Sequence, residues 1–163
     1  MVVVLGIDPG TASTGFGVVL SRWAKLAALD GGVISTGPAE PLERRLARIY
    51  ARTADLIAEH RPDAVAVEEL YFGQNVRTAS SVGHARGVVL LAAGMAGLPC
   101  FSYTPQQVKQ AVCGSGRADK GQVQRMVGSL LELGAPPEPD HAADALAVAV
   151  CHANGQAMRE ALA

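Results

Sequence analysis

The stretch VVVLGIDPGTASTGFGVVL, residues 2–20, decides the fold. It opens with a continuous apolar run that closes at Asp8-Pro9-Gly10, three residues typical of a turn. We predict a buried strand over residues 2–7 and a second strand over residues 15–20. A third strand over residues 26–36 completes a predicted meander. Asp8 is therefore expected at the carboxyl end of a buried strand.

Alternating helices and strands are predicted after this meander. Apolar residues at three- and four-residue steps predict an amphipathic helix over residues 42–59, which Pro62 ends. The remaining predicted elements are a strand over 64–68, a helix over 76–96, a strand over 98–103, a short helix starting at Thr104-Pro105, a helix over 118–132 and a last helix over 140–157. The order predicts an α/β fold of the ribonuclease H-like type, a five-stranded mixed sheet flanked by helices on both sides. A doubly wound dinucleotide-binding fold would instead begin β-α-β.

Composition and charge limit the class of protein. A chain of 163 residues favours one domain over residues 1–163, and the 49% apolar content is globular. No apolar run is long enough to span a bilayer, and the N-terminus lacks the basic flank of a signal peptide. Three widely spaced cysteines exclude a disulfide framework and a CxxC zinc site. We expect a cytoplasmic protein without a membrane partner.

Carboxylates fall at the points where a site would form. Asp8 and Glu68 each end a predicted buried strand, and sites in open α/β sheets gather at that edge. Asp144 lies inside the small and apolar last helix, with His141 three residues earlier on the same side. Asp140 could also reach, although its position suggests the N-cap. Taken singly, Asp8 fits a turn and Asp144 fits a helix N-terminus, whereas their convergence favours a site.

An oxygen-rich cluster with one imidazole suits Mg²⁺ or Mn²⁺. Two such ions about 4 Å apart can support phosphodiester hydrolysis. Lysine is scarce, with three residues against eleven arginines, and Lys109 and Lys120 lie close together. We predict that these two lysines contact phosphate near the carboxylates.

Four blocks of sequence carry a resemblance to a known family. They are GIDPGTASTGFGVV at 6–19, AVAVEELYFGQNVRTASSVGHARG at 64–87, TPQQVKQAVCGSGRADKGQVQRMV at 104–127 and HAADALAVAV at 141–150. Together they resemble the bacterial RuvC-type Holliday-junction resolvases, which are crossover junction endodeoxyribonucleases. The resemblance implies a homodimeric, Mg²⁺-dependent endonuclease of recombination and repair that nicks two strands of like polarity across a four-way DNA junction.

The resemblance also implies roles for individual residues. The family's catalytic carboxylates match Asp8, Glu68 and Asp144, and its two lysines match Lys109 and Lys120. Many relatives have Asp where this chain has His141, which we interpret as a ligand that favours Mn²⁺.

Further roles follow from the same resemblance. The family's base-stacking aromatic matches Tyr71, with Phe72 beside it. The helix over 76–96 corresponds to the family's dimer contact, and branch-migration partners of the RuvA and RuvB type are expected.

The net charge limits how the chain could bind DNA. The net charge of −1 argues against a broad basic face, so DNA binding needs a local basic surface. We place on it the residues Arg77, Arg86, Lys109, Arg117 and Lys120.

Three alternative functions stay open. The first is a nucleotide-binding domain like those of actin-like kinases and chaperone ATPases. The second is a nuclease of the same superfamily acting on RNA, such as a pre-16S processing factor, and the third is a non-catalytic junction-binding scaffold.

Overall fold

A computed structural model describes residues 1–69 and 76–162. Five strands form one mixed sheet in the order β3-β2-β1-β4-β5. The strands are β1 (Val2–Asp8), β2 (Ser13–Arg22), β3 (Lys25–Ser35), β4 (Ala64–Glu68) and β5 (Cys100–Tyr103). The first three pair antiparallel as the predicted meander, whereas β4 runs parallel to both β1 and β5. The predicted five-stranded mixed sheet is confirmed.

Helices cover both faces of this sheet. They are α1 (Leu42–His60), α2 (Val76–Met95), α3 (Pro105–Cys113), α4 (Lys120–Leu130) and α5 (Asp140–Leu162). One core joins α1 and α2 to the sheet face that carries Leu5 and Ile7. The second core joins α3, α4 and α5 to the opposite face, which carries Val4 and Ala66. Because side chains alternate along a strand, Asp8 and Glu68 both project toward the α5 face.

The last helix lies unusually close to the sheet because two strand positions are glycine. A Cβ placed on Gly15 would overlap the backbone carbonyl of His141, and one on Gly6 would overlap the carbonyl of Ala145. Any larger residue would hold α5 away from the sheet. These two glycines therefore bring the first turns of α5 against β1 and β2, where Asp8 ends its strand.

Hydrogen-bonded caps start two of the helices near the site. Thr104 caps α3 in a reciprocal arrangement with Gln107, and Pro105 is the first helical residue, as predicted. Asp119 caps α4 in the same way with Gln122. The second cap makes Lys120 the first residue of α4 and so fixes where its side chain begins.

Some boundaries differ from the predicted ones. The last helix continues to Leu162, five residues past the predicted end, and β5 begins at Cys100 because Pro99 has no N–H to donate to the sheet. Leu42, the first apolar residue of the pattern that predicts the amphipathic helix α1, is exposed. The β2–β3 hairpin turns at Trp23 and Ala24, which have positive φ values of 52° and 62°. No helix within the described ranges is both long and apolar enough to cross a membrane.

Candidate active site

Asp8 and Glu68 meet where two parallel strands end side by side. Ile7 of β1 pairs with Val67 of β4, so the next residue of each strand lies at the same sheet edge. The two carboxyl groups lie close enough for each to affect the pKa of the other. The predicted convergence of Asp8 and Glu68 is therefore present in the structure.

The first turns of α5 add an imidazole and a third carboxylate. His141 Nδ1 lies 2.9 Å from Asp8 Oδ2. One ligand atom from each of Asp8, His141 and Asp144 lies within 4.8 Å of the other two. His141 is exposed, whereas Asp8 and Asp144 are only partly accessible. The site is therefore a half-open cleft with its carboxylates at the base and the imidazole at the rim.

Lys120 reaches this cluster from α4. Its Nζ lies 3.3 Å from Asp140 Oδ2 and 3.5 Å from Asp144 Oδ2. Gln124 Nε2 donates to Asp140 Oδ1 at 2.9 Å. Asp140 is the first residue of α5. The sequence predicts that its carboxylate caps this helix, but in the structure the carboxylate contacts Lys120 and Gln124 of α4. Sequence spacing missed this role because α4 and α5 are separated by a proline-rich connection.

The buried carboxylates resist ionisation. Burial in the protein interior raises the pKa of Asp8 to about 6. Burial and the neighbouring Asp8 charge raise the pKa of Glu68 to about 8. Burial also raises the pKa of Asp144, against the opposing effect of Lys120. The site thus concentrates negative charge that the protein compensates only in part.

This donor set fits a divalent cation. Carboxylate oxygens with one imidazole are ligands that Mg²⁺ and Mn²⁺ accept, and no cysteine belongs to the cluster among the described residues. A cation between Asp8, His141 and Asp144 would supply the missing positive charge. It would also favour the ionised form of each carboxylate. The raised pKa values are therefore consistent with a metal site.

The remaining predicted residues lie on different elements. Lys109 is half-buried on α3 and makes no hydrogen bond or ion pair with any residue of the described ranges. Arg117 is exposed in the α3–α4 connection, and Arg77 is exposed in the first turn of α2. Arg86 donates from Nη2 to Ser102 Oγ on β5, so part of its guanidinium is already occupied. Their DNA contacts stay predictions, and Tyr71 and Phe72 lie outside the described residues.

A match to a family model shows which protein family the chain belongs to. The model for crossover junction endodeoxyribonuclease RuvC matches residues 4–152, which include the carboxylates of the site, His141 and Lys120. The chain belongs to the RuvC family. Two curated RuvC relatives illustrate the similarity. The protein from Rubrobacter xylanophilus is 54% identical over 98% of this chain and 89% of its own length. The protein from Moorella thermoacetica is 56% identical over 93% of this chain and 91% of its own length.

Solved RuvC structures share the architecture. A Thermus thermophilus RuvC structure superposes with a TM-score of 0.90 at 46% identity and covers 96% of each chain. Thermus thermophilus RuvC in complex with Holliday junction substrate superposes with a TM-score of 0.94 over 98% of this chain and 97% of that one. The yeast mitochondrial resolvase Ydc2, at 14% identity and a TM-score of 0.68, shares the fold alone. The ribonuclease H-like prediction is confirmed, and this RuvC-family chain is an endodeoxyribonuclease.

Proposed function

We propose that this chain resolves four-way DNA junctions by paired symmetric nicks during recombination and repair. The observation that carries the proposal is the cluster of Asp8, His141 and Asp144, in a chain of the RuvC family. Glu68 lies next to Asp8, and Lys120 lies beside Asp144. The exposed His141 and Lys120 side chains lie at the solvent-accessible side of the cluster. Family membership favours this function over a nucleotide-binding domain or a non-catalytic scaffold.

Each protein group has a distinct task in this reaction. Two divalent ions per subunit, when bound, would activate the attacking water and stabilise the leaving oxygen. Asp8, Glu68, His141 and Asp144 would hold these ions. Lys120 carries a positively charged ammonium group. Partial burial lowers the pKa of this group, but the Asp144 and Asp140 carboxylates raise it by more. Lys120 therefore stays protonated and can stabilise charge that develops on the phosphate.

The deciding experiment compares substrates. A synthetic four-way junction, a matched linear duplex and an RNA–DNA hybrid are incubated with the chain, with and without Mg²⁺. We expect the natural chain to make two symmetric nicks in the junction when Mg²⁺ is present, and to leave the linear duplex and the hybrid intact. Without Mg²⁺ the junction should stay uncut. Asp8→Asn, which keeps the side-chain shape but removes the charge, should not cleave any of the three. Cleavage of the hybrid without cleavage of the junction would favour the RNA-directed alternative.

The choice of metal is also testable. An imidazole suits Mn²⁺ better than Mg²⁺, so His141 biases the site toward Mn²⁺. His141→Asp should stay active and shift the ratio of Mg²⁺-supported to Mn²⁺-supported cleavage upward. An equal loss of activity with both metals would mean that His141 is not a ligand.

The assembly proposed for this function is a homodimer formed through α2. Val76, Leu91 and Met95 are exposed on this helix, and a Cβ added at Gly87 or Gly94 would meet open space. An apolar helix surface of this kind is typical of an interface. By family resemblance the dimer would work in the cytoplasm with branch-migration partners of the RuvA and RuvB type.

A further inference from the structure

Within the sheet registers, Asp8 is paired with a neighbouring strand on one side only. The antiparallel register with β2 includes Asp8 opposite Gly15. The parallel register with β4 ends one residue earlier, at Ile7 and Val67. On the β4 side, the position of Asp8 therefore depends on the loop that follows it, residues 9–12.

A chain of hydrogen bonds holds this loop against the helices on the face opposite α5. Thr11 Oγ1 donates to the backbone carbonyl of Ser81 in α2 at 2.6 Å. Thr36 Oγ1 donates to the Thr11 carbonyl at 2.5 Å, and Arg45 Nε of α1 donates to Thr36 Oγ1 at 2.9 Å. We call Thr11, Thr36, Arg45 and Ser81 the loop anchor.

The Thr11 bond to Ser81 is the part of the loop anchor that joins two functional elements. Thr11 is 3% exposed, so its hydroxyl has little access to water as a substitute partner. Its acceptor lies in α2, the first described helix after Glu68. The bond therefore links the loop after one catalytic carboxylate to the helix that follows another.

We propose that Thr11 is a positioning residue of the nuclease: its hydrogen bond to Ser81 fixes the β1–β2 loop against α2 and so holds Asp8 in the geometry that metal binding requires. The inference rests on the proposed function. Metal-site and catalytic groups must be held within about 0.5 Å of their working geometry, and a misplacement near 1 Å can lower a rate about a hundredfold. One buried hydrogen bond three residues from Asp8 is well placed to control a displacement of that size.

The test uses Thr11→Val, which keeps the side-chain shape and removes the donor, and Thr11→Ser, which restores it. The matched control is Thr53→Val. Thr53 is another buried threonine, and its Oγ1 donates to the helix carbonyl of Ile49 at 2.7 Å, but it lies within α1, away from the loop. Thr36→Val breaks the loop anchor at its next bond and serves if Thr11→Val fails to fold.

Three quantities are measured for each variant: single-turnover junction cleavage, junction affinity without divalent metal, and Mn²⁺ affinity from the electron paramagnetic resonance signal of free Mn²⁺. For Thr11→Val we expect cleavage at least tenfold slower, junction affinity within twofold, and Mn²⁺ binding at least threefold weaker. Thr11→Ser should restore both values to within twofold. Thr53→Val should lower the melting temperature comparably but leave cleavage and Mn²⁺ binding within twofold. Thr36→Val should change both in the same direction as Thr11→Val.

Thr11→Val or Thr36→Val with cleavage and Mn²⁺ binding equal to those of Thr53→Val would overturn the inference. A natural chain that leaves junctions intact would overturn the proposed function instead. The Mn²⁺ comparison would still decide the role of Thr11, because it needs no cleavage.

Discussion

At the scale of single residues, the site is built from groups that are unfavourable without a cation. Asp8 and Glu68 are largely withdrawn from water and lie next to each other, and both have raised pKa values of about 6 and about 8. Such an arrangement destabilises the metal-free fold whenever both groups are ionised. The free energy of unfolding should record this directly.

The stability of the metal-free chain should therefore fall as the pH rises. Both carboxyl groups bind protons more tightly in the folded than in the unfolded chain, so the folded chain holds more protons between about pH 4 and pH 8. The free energy of unfolding must then decrease across this range. Glu68→Gln should flatten the decrease and be more stable than the natural chain at pH 8 by about 1–3 kcal/mol.

Urea denaturation with a chelator at pH 5 and pH 8 measures this effect. Glu69→Gln is the matched control, because Glu69 is the next residue along the chain and is exposed. A pH dependence of Glu68→Gln as steep as that of the natural chain would contradict the prediction.

At the scale of elements, sequence patterns predicted the strands and helices better than the contacts between them. The apolar runs ending at Asp8 and Glu68 gave the central strands, because a buried strand has a clear signal. The pairing of Lys120 with Asp140 had no such signal, since it depends on how α4 packs beside α5. The closeness of α5 to the sheet was likewise hidden in Gly6 and Gly15, which sequence alone does not distinguish from turn glycines.

Gly15→Ala tests whether this close approach positions the site. The added methyl group would overlap the His141 carbonyl, a backbone atom that cannot rotate away, so α5 must shift outward. We expect a loss of about 1–3 kcal/mol in stability. Cleavage should fall at least tenfold, because His141 and Asp144 move with the helix.

Gly31→Ala on β3 is the control for this substitution. There the nearest atom to an added Cβ is Leu146 Cδ1 at 3.6 Å, an ordinary contact. Thermal denaturation and single-turnover cleavage are measured for both variants. A Gly15→Ala enzyme with normal cleavage would show that the site tolerates the displacement.

At the scale of the whole molecule, the net charge of −1 conceals an uneven distribution. Four of the fifteen acidic residues gather in the site, and Lys120 is the one lysine or arginine side chain that forms an ion pair with them in the described part of the chain. The rest of the chain therefore carries more basic than acidic residues. Cations bound in the cluster would remove much of the remaining repulsion toward DNA.

Junction binding should accordingly depend steeply on salt despite the acidic overall charge. Each phosphate contact adds about −0.9 to the slope of log K against log salt on duplex DNA. Arg117→Ala, in the exposed α3–α4 connection, should make the slope shallower by about one. Arg44→Ala, exposed on α1 across the sheet, should leave it unchanged. A flat response of the natural chain would exclude backbone phosphates as the main contact.

The proposed dimer gives a prediction at the same scale. Leu91 is 56% exposed on α2, and a charge there would have to be buried in the interface. Leu91→Glu should give monomers in sedimentation experiments and lose paired nicking, whereas Met126→Glu, 40% exposed on α4, should stay dimeric. A dimeric Leu91→Glu protein would place the interface elsewhere.

The tip of the β2–β3 hairpin decides how these unfolding experiments should be followed. Trp23 is the only tryptophan of the chain, and its side chain is 87% exposed at the turn. An indole already surrounded by water emits much as it does in an unfolded chain. Intrinsic tryptophan fluorescence will therefore change little when the sheet and helices come apart. Circular dichroism of the five helices is the signal that will follow unfolding.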